Sequence, residues 1–306
     1  MITKLSEVWP VVERAAHDSG AVRVGASDLS DEHVDLFEDW IARGHHATME
    51  YLSKSRPVRR EPATRFPWAK SVIVIVVPYA AERPHAPTGS LSHHVARYAL
   101  GDDYHEVLDG ILRKIEAALP SGAKSWRYVD TGPLSDRSYA AQAGLGWIGK
   151  NSMLIDEERG SYFFIGTLLT SLENDIVSAT IADRCGACTR CIDACPTDAI
   201  LPNRTIASER CISYATIEHR GPLPENLTLA GNAFGCDICQ EACPWNATPA
   251  MPHPDFVARA EYRATPLTDL LRFEQSDFSR LFRNSAVKRA RLDGMKRNVE
   301  ALYRAL

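Results

Sequence analysis

No cysteine occurs before position 185, although the chain has eight, all of them between Cys185 and Cys243. That distribution excludes a secreted disulfide scaffold, whose cysteines are spread through a short chain. Long apolar runs are also missing. The strongest, Val72 to Val77 with its flanks, falls far short of the ~20 residues that span a bilayer. Met1 to Glu7 lacks the basic-then-apolar profile of a signal peptide. Net charge is small: 35 Lys and Arg against 39 Asp and Glu leave −4, too little to call for a nucleic-acid or membrane partner from the total alone. Repeats and low-complexity segments do not stand out. The expectation is a soluble, cytoplasmic chain of 306 residues, 45% hydrophobic and 24% charged, within ordinary globular usage. The length is about twice the ~150 residues of a typical domain, which predicts two compact units.

Residues 4–18 read as an amphipathic helix closing at Gly20, followed by a strand from Val22 to Ala26. Ser30 is positioned to cap a second helix carrying Val34, Leu36, Phe37, Trp40 and Ile41. A basic loop, Lys54 to Arg65, leads into SVIVIVVPY, apolar on both faces like the centre of a covered sheet. Tyr104 to Leu119 places Val107, Leu108, Ile111, Leu112, Ile115 and Leu119 on one stripe before Pro120 stops it. Trp126 to Val129 and Tyr162 to Leu169 read as strands, and Asp136 to Ala143 as a helix. The mixture predicts an α+β or α/β unit of roughly 170 residues. The cysteine block follows, and a helical, basic segment runs from Asp269 to Leu306.

The first cysteine run, CGACTRCIDACP, contains Cys185, Cys188, Cys191 and Cys195 before Pro196. This is the C-x2-C-x2-C-x3-C-P spacing of bacterial ferredoxins, in which the fourth cysteine ligates the other cluster. The second set is Cys211 alone and then Cys236, Cys239 and Cys243 in CDICQEACP. Crosswise pairing yields two groups of four: Cys185, Cys188, Cys191 with Cys243, and Cys195 with Cys211, Cys236 and Cys239. Three thiolates at close spacing wrap one corner of a cube, and the proline turns the chain so that the fourth reaches across. Two structural four-cysteine zinc sites are the alternative. Zinc modules rarely show three cysteines at x2 spacing followed by x3-Cys-Pro, so two [4Fe–4S] clusters are expected. Single electrons are then being delivered somewhere, and the preceding ~170 residues are the place for their acceptor.

AGLGWIGK formally matches G-x-G-x-x-G at Gly144, Gly146 and Gly149. A dinucleotide site needs a strand before it and a helix after it, and here the context is reversed. Gly144 is expected to close a helix instead. VDTGPLSDR sets Asp130 at a strand end, where catalytic groups often collect, although an Asp satisfying its own turn is the plainer reading. Asp136 nearby suits the first turn of a helix. His45, His46, His93, His94 and His105 default to solvated loops. Asp103-x-His105 begins the D-x-H-x-x-G cobalamin motif, but position 108 is Leu and the motif fails. From Arg280 to Leu306 eight Lys or Arg face Asp293 and Glu300, a local excess of 8 − 2 = +6. That asymmetry suggests a phosphate-backbone contact, with a solvated helix face as the alternative.

Together these residues resemble the epoxyqueuosine reductase family of cobalamin-dependent, iron–sulfur tRNA-modification enzymes. The matching segments include MEYL, AKSVIVIVVPY, ARYALGDDYHEVL, VDTGPLSDRSYAAQAGLGWIGKNSMLI, GSYFFIGTLL, the first cysteine run, RCISYATIEHRG and GNAFGCDICQEACPWN, with a weaker SAVKRARLDGMKRNVEAL toward the end. The resemblance implies an α+β fold with a cobalamin-binding α/β domain over residues 1–175, related to that of reductive dehalogenases. A double [4Fe–4S] ferredoxin-like module would follow over 176–255, and a short basic helical tail over 256–306. Many family members continue into a C-terminal helical-repeat domain, which this chain, ending at Leu306, is expected to lack. The implied reaction is reduction of the epoxide of epoxyqueuosine at the tRNA wobble position to queuosine, the last step of its synthesis. The clusters would feed a base-off cobalamin, and Asp130 would be the proton donor, its pKa raised by burial beside the corrin. Cobalamin contacts are implied at Arg59, Ala96, Asp130, Leu154, Ile165, Thr167, Ser213 and Asp237. Ser213 and Asp237 also sit one or two residues from a cluster cysteine, where a cofactor receiving electrons belongs. The implied partners are a tRNA carrying epoxyqueuosine and an external electron donor of reductase, flavodoxin or ferredoxin type. The protein is expected to act as a monomer, without a membrane.

Three other functions compete with this one. A reductive dehalogenase-like enzyme would keep the cofactors, but lacks here its usual export signal. A two-cluster electron carrier leaves the N-terminal unit unexplained, and a zinc-stabilised RNA-binding protein predicts no redox activity.

Overall fold

The computed structural model describes residues 2–79, 87–248 and 250–304. Helix α1 (Trp9–Asp18) carries a proline in its first turn, where no intrahelical donor is lost, and buries Val12 and Ala16. It leads into β1 (Arg23–Asp28) and then α2 (Val34–Ala42). Ser30 does not cap α2: the Asp31 carboxylate accepts the His33 N–H at 2.9 Å instead, one turn before the helix. The stretch expected as a loop, Lys54 to Arg65, begins at the end of a short helix, α3 (Glu50–Lys54), and carries a second, α4 (Arg56–Arg60), and a 3-10 turn at Pro62–Thr64.

Strand β2 (Ser71–Pro78) is buried along its whole length. Its two faces serve two cores. Ile73, Ile75 and Val77 pack with α1 and with Leu108, Ile111, Leu112 and Ile115 of α5 (Tyr104–Glu116). Val72, Val74 and Val76 pack with Tyr139, Ala140 and Ala143 of α6 (Asp136–Gln142). A continuous apolar run is therefore required, because every second residue meets a different helix layer. Truncating Ile75 to Ala would cost about 2–5 kcal/mol. Strand β3 (Ser125–Tyr128) precedes α6, and the β4 (Trp147–Ile148) and β5 (Leu154–Ile155) hairpin follows it. With β6 (Phe163–Thr170), the main sheet has the order β1-β2-β6-β3, antiparallel throughout. Gly144 follows α6 at φ +70°, the left-handed helix end expected of it, and the strand after the glycines confirms the reversed context.

The cysteine block has only short helices, α7 (Arg190–Asp193), α8 (Ile212–Ile217) and α9 (Ile238–Glu241). Polar contacts dock it on the first unit. Lys150 Nζ donates to the carbonyls of Gly186 at 2.7 Å and Cys188 at 2.9 Å. The Ser161 hydroxyl donates to Gln240 at 2.8 Å, and its N–H donates to Asn246 at 2.7 Å.

The last segment, α10 (Ala260–Ala264), α11 (Gln275–Leu281) and α12 (Arg291–Arg304), is helical as expected. It does not trail away from the fold. Tyr262, Phe278, Phe282, Met295 and Val299 form one core with Leu91, Val95, Leu100 and Phe234. Among the described residues no helix is long and apolar enough to cross a membrane.

Candidate functional site

Strand β3 ends at Tyr128, and two residues later Asp130 adopts φ 56°, a left-handed conformation that a non-glycine residue holds only when its surroundings impose it. The Tyr128 hydroxyl imposes it here, lying 2.8 Å from the Asp130 carbonyl and 3.1 Å from those of Gly132 and Leu134. Thr131 N–H closes back on Val129 O at 2.6 Å. A β-carbon at Gly132 would stand 2.3 Å from the Tyr128 ring, so this turn needs glycine there. The VDTGP segment is thus a turn wound around a tyrosine hydroxyl, and the Asp130 side chain is left outside it.

That side chain faces solvent at the edge of the turn. Protein crowds it from most directions, yet 63% of it remains exposed. Tyr104 donates its hydroxyl to Asp130 Oδ2 at 2.7 Å, and His105 Nε2 lies 3.7 Å from the same oxygen. Burial is the largest influence on the Asp130 carboxyl and raises its pKa, but His105 and Tyr104 together outweigh it, and the group is held below the ordinary value. The expected upward shift is therefore reversed. The proton sits one residue away: Asp103 and Asp130 overcome burial at His105 and lift it to about 9.

A second carboxyl beneath the same loop behaves oppositely. Asp136 opens α6 and lies 3.4 Å from the Thr167 hydroxyl of β6. Burial first and the Asp130 charge second raise it to about 8, against Arg59, Thr167 and Arg137. Arg59 is not one of the solvated arginines around it. Its guanidinium donates to the hydroxyls of Ser55 at 2.9 Å and Ser135 at 2.8 Å and covers the Phe37 ring at 4.6 Å. Ile165 shares the Thr167 face of β6 and packs on the core beneath α6, and Leu154 lies within that core. Arg59, Asp130, Ile165 and Thr167 are thus brought to one side of the sheet.

Ala96 and Asp237 lie at the junction with the cysteine block. Ala96 donates its N–H to Phe234 O at 2.8 Å, and a β-carbon on Gly235 would stand only 2.6 Å from the Ala96 methyl. Asp237 is 2% exposed and accepts the Arg97 N–H at 2.7 Å. The buried Tyr98 phenol feels both carboxylates: burial raises its pKa first, then Asp130 and Asp237. Ser213 is half-buried in α8.

The eight thiols fall into two neighbourhoods. Cys185, Cys188, Cys191 and Cys243 line one small pocket with Lys150, Asn151 and Trp245. In the other, Cys211 senses Cys195, Cys236 senses Cys211 and Cys195, and Cys239 senses Cys236 and Cys211, in each case after the larger effect of burial. Among the described residues no three His, Cys, Asp or Glu side chains converge as a single-ion site requires. Tetrahedral zinc with bonds of about 2.3 Å would draw four sulfurs to about 3.8 Å from one another. The donor set suits a larger, soft-ligand group such as an iron–sulfide cube.

Sequence reasoning did not single out Tyr98, Tyr104 or Arg137. His105 was assigned to a solvated loop, whereas it lies in the first turn of α5 between two carboxylates. His46 is also largely buried, with 13% of its side chain exposed. The signal for His105 was present in Asp103-x-His105, the geometry of an aspartate capping its own helix.

A double-cluster module docked on an antiparallel α/β domain, with Asp130 and Asp237 acting on the same buried tyrosine at the joint, defines the class: an iron–sulfur oxidoreductase. Residues 184–246 match the family described as a 4Fe-4S double cluster binding domain, and residues 59–131 match Epoxyqueuosine reductase QueG, DUF1730. The epoxyqueuosine reductase of Leadbetterella byssophila is 37% identical over 281 residues, 90% of this chain and 91% of that protein. That of Synechocystis is 37% identical over 283 residues, covering 89% and 96%. The crystal structure of an epoxyqueuosine reductase with an epoxyqueuosine-modified tRNA-Tyr stem loop superposes with a TM-score of 0.87 at 28% identity, over 97% of this chain and 81% of that one. A Bacillus subtilis epoxyqueuosine reductase, solved with its catalytic aspartate loop swung out of the active site, superposes at 0.88 with 26% identity over the same shares. The chain belongs to the epoxyqueuosine reductase family.

Proposed function

We propose that this chain reduces the epoxide of epoxyqueuosine in a tRNA anticodon to give queuosine, the last step of that synthesis. It would hold a base-off cobalamin between Asp130 and the cluster module, supplied with electrons by two [4Fe–4S] clusters. The observation that carries this reading is that one buried phenol, Tyr98, feels both Asp130 and Asp237, and that Asp237 sits between Cys236 and Cys239. A redox cofactor between them would touch the cluster module on one side and a proton-handling carboxylate on the other. The residues suit a large ring with polar edges. Arg97 Nε is buried without a hydrogen-bond partner, and Arg59, Thr167 and Asp136 offer further polar groups around apolar Ile165 and Leu154.

Arg59, Ala96, Leu154, Ile165, Thr167, Ser213 and Asp237 would hold the corrin, and Asp130 would face its reactive side. Reduced cobalt is a strong nucleophile, and it would supply the electron pair that opens the epoxide. The chain's own task is to orient the epoxide over Asp130, to exclude water at Tyr98 and Tyr104, and to deliver a proton from Asp130 Oδ2 to the developing alkoxide. The thiolates of Cys185, Cys188, Cys191 and Cys243 would bind one cluster, and those of Cys195, Cys211, Cys236 and Cys239 the other. The common pocket of the first four supports this grouping. The left-handed Asp130 turn would be this chain's counterpart of the catalytic aspartate loop that is swung out of the active site in the Bacillus subtilis relative. A tRNA and an external one-electron donor would be the partners, met in the cytoplasm by a monomer.

The test is metal content after anaerobic purification and incubation with cobalamin, followed by assay on epoxyqueuosine tRNA. About eight irons and one cobalt per chain are expected, with queuosine formed. Iron without cobalt would leave an electron carrier, and zinc without iron would discard both readings.

A further inference from the structure

His105 is held between two carboxylates. Asp103, the N-cap of α5, accepts both the His105 backbone N–H at 3.1 Å and its Nδ1–H at 2.8 Å. This pins the ring and turns Nε2 toward Asp130 Oδ2, 3.7 Å away. Nε2 is buried and has no other hydrogen-bond partner. The Tyr104 ring stacks on the imidazole at 4.1 Å and sends its hydroxyl to the same Asp130 oxygen. The charged groups facing this unit from other elements are Arg137 of α6, which acts on Asp130, and Arg259, which acts on Asp103. With a carboxylate at each nitrogen, the cationic imidazole is the form that satisfies the geometry.

Converting epoxyqueuosine to queuosine removes one oxygen atom. Lost as water, it takes up two electrons and two protons. Asp130 carries at most one proton, so it must be recharged within a single turnover.

We propose that His105 is the proton reservoir of this site, passing a proton from Nε2 to Asp130 Oδ2 for each one that Asp130 gives to substrate. This rests on the function proposed above. At rest Asp130 is the carboxylate and His105 the imidazolium, so for each proton delivered the imidazolium N–H bond breaks, the Asp130 O–H bond forms, and that O–H bond breaks in turn as the substrate oxygen takes the proton. Neutral His105 then recovers a proton at Nε2 from water by way of Asp130, 63% of which is exposed. The electrons come from the external donor and never pass through His105. His105 therefore acts through Asp130, as a positioning and proton-supplying residue.

The test has two arms. In the holoenzyme with isotope-labelled histidine, the His105 resonance, assigned by its loss in His105→Gln, is expected to titrate near 9. It should fall toward the ordinary range of about 6.5 in Asp130→Asn and in Asp103→Asn. This arm needs no substrate, so it stands even if epoxyqueuosine is not reduced. In the kinetic arm, turnover of the wild type falls above the His105 pKa. His105→Gln should lose that alkaline limb and slow about 10- to 100-fold at pH 8, with tRNA affinity within about twofold. Tyr104→Phe, which removes a donor to Asp130 but leaves the imidazole, should keep the limb. A His105 that titrates in the ordinary range, or a His105→Gln enzyme with the wild-type pH profile, overturns the proposal. Absence of turnover in every form, with the titration near 9 intact, would instead overturn the reading of the substrate.

Discussion

The Arg97 guanidinium reaches the Glu241 carboxylate at 2.7 Å while also donating to the Tyr162 hydroxyl at 2.9 Å. One side chain thereby ties the segment before α5 to the strand-side aromatic of the first unit and to the helix that carries Cys239. Its ring-facing carbon lies 5.0 Å from the Tyr162 centroid, and only 13% of the side chain is exposed.

Arg97→Ala should therefore loosen the docking of the cluster module. It leaves the largely buried Tyr162 hydroxyl without the Arg97 donor and takes the cation away from the buried Asp237. A loss of about 2–4 kcal/mol is expected, read as a lower midpoint in denaturant. Arg97→Lys should recover little, because one ammonium cannot serve both partners and the ring. A midpoint within experimental scatter of wild type would assign this contact to the surface class that contributes nothing.

The Asp136 carboxyl gives stability a slope with pH. Raised to about 8 by burial and by Asp130, it binds a proton in the folded chain that the unfolded chain releases near 4. Between these values the folded state holds more protons, so this group's contribution is complete at low pH and is lost as pH rises through about 8. The slope is at most about 1.4 kcal/mol per pH unit. Asp136→Asn should flatten it, becoming relatively more stable than wild type at pH 8 than at pH 5. Parallel pH curves would mean that Asp136 is ionised in the fold.

Asp130→Asn keeps the turn, since asparagine also tolerates the left-handed conformation, and removes the exchangeable proton. Turnover on epoxyqueuosine tRNA should drop about 10²- to 10⁴-fold, while tRNA and cobalamin still bind. Near-normal turnover would discard Asp130 as the donor.

The basic residues of the C-terminal segment divide into two kinds. Arg297 turns inward and donates to the carbonyls of Ala215 at 2.8 Å, His219 at 2.9 Å and Gly221 at 2.9 Å. Arg289 is held by Glu218 at 2.8 and 2.9 Å. Lys288 and Arg291 are exposed. Arg297→Met should cost about 2–4 kcal/mol by stranding carbonyls and leave the salt dependence of tRNA binding unchanged. Lys288→Ala with Arg291→Ala should do the reverse, lowering the slope of log affinity against log salt by about 1–2. An unchanged slope would return those charges to solvent.

Much of this was legible in residue order. The cysteine spacing, the two-faced apolar strand, the stripe of α5 and the strand end at Asp130 all follow from local periodicity, and the structure carries each of them. What was not legible depends on segments far apart in the chain. Nothing near Asp130 announces that the start of α5 will lie against it, so residue order carries no sign of the His105 and Tyr104 contacts that lower its pKa. Counting charges from Arg280 to Leu306 could not separate Arg297, satisfied by three carbonyls of α8 and the loop after it, from Lys288 in solvent. Nor could periodicity find the partner of Leu91, Val95 and Leu100, because those residues have no helical stripe of their own.

That last pairing sets an order of events at the ribosome. Asp102 and Arg259, which join the two halves of this second core, are 157 residues apart. At the usual ~5–20 residues per second, the interval between their synthesis is on the order of 10–30 s. Throughout it Leu91, Val95 and Leu100 have emerged without Tyr262, Phe282 or Val299 to cover them. Until β6 has been made as well, β2 has only β1 to pair with, so the nascent chain presents a sticky apolar segment beside an unfinished sheet, and a chaperone that shields short aliphatic stretches has its work at this point.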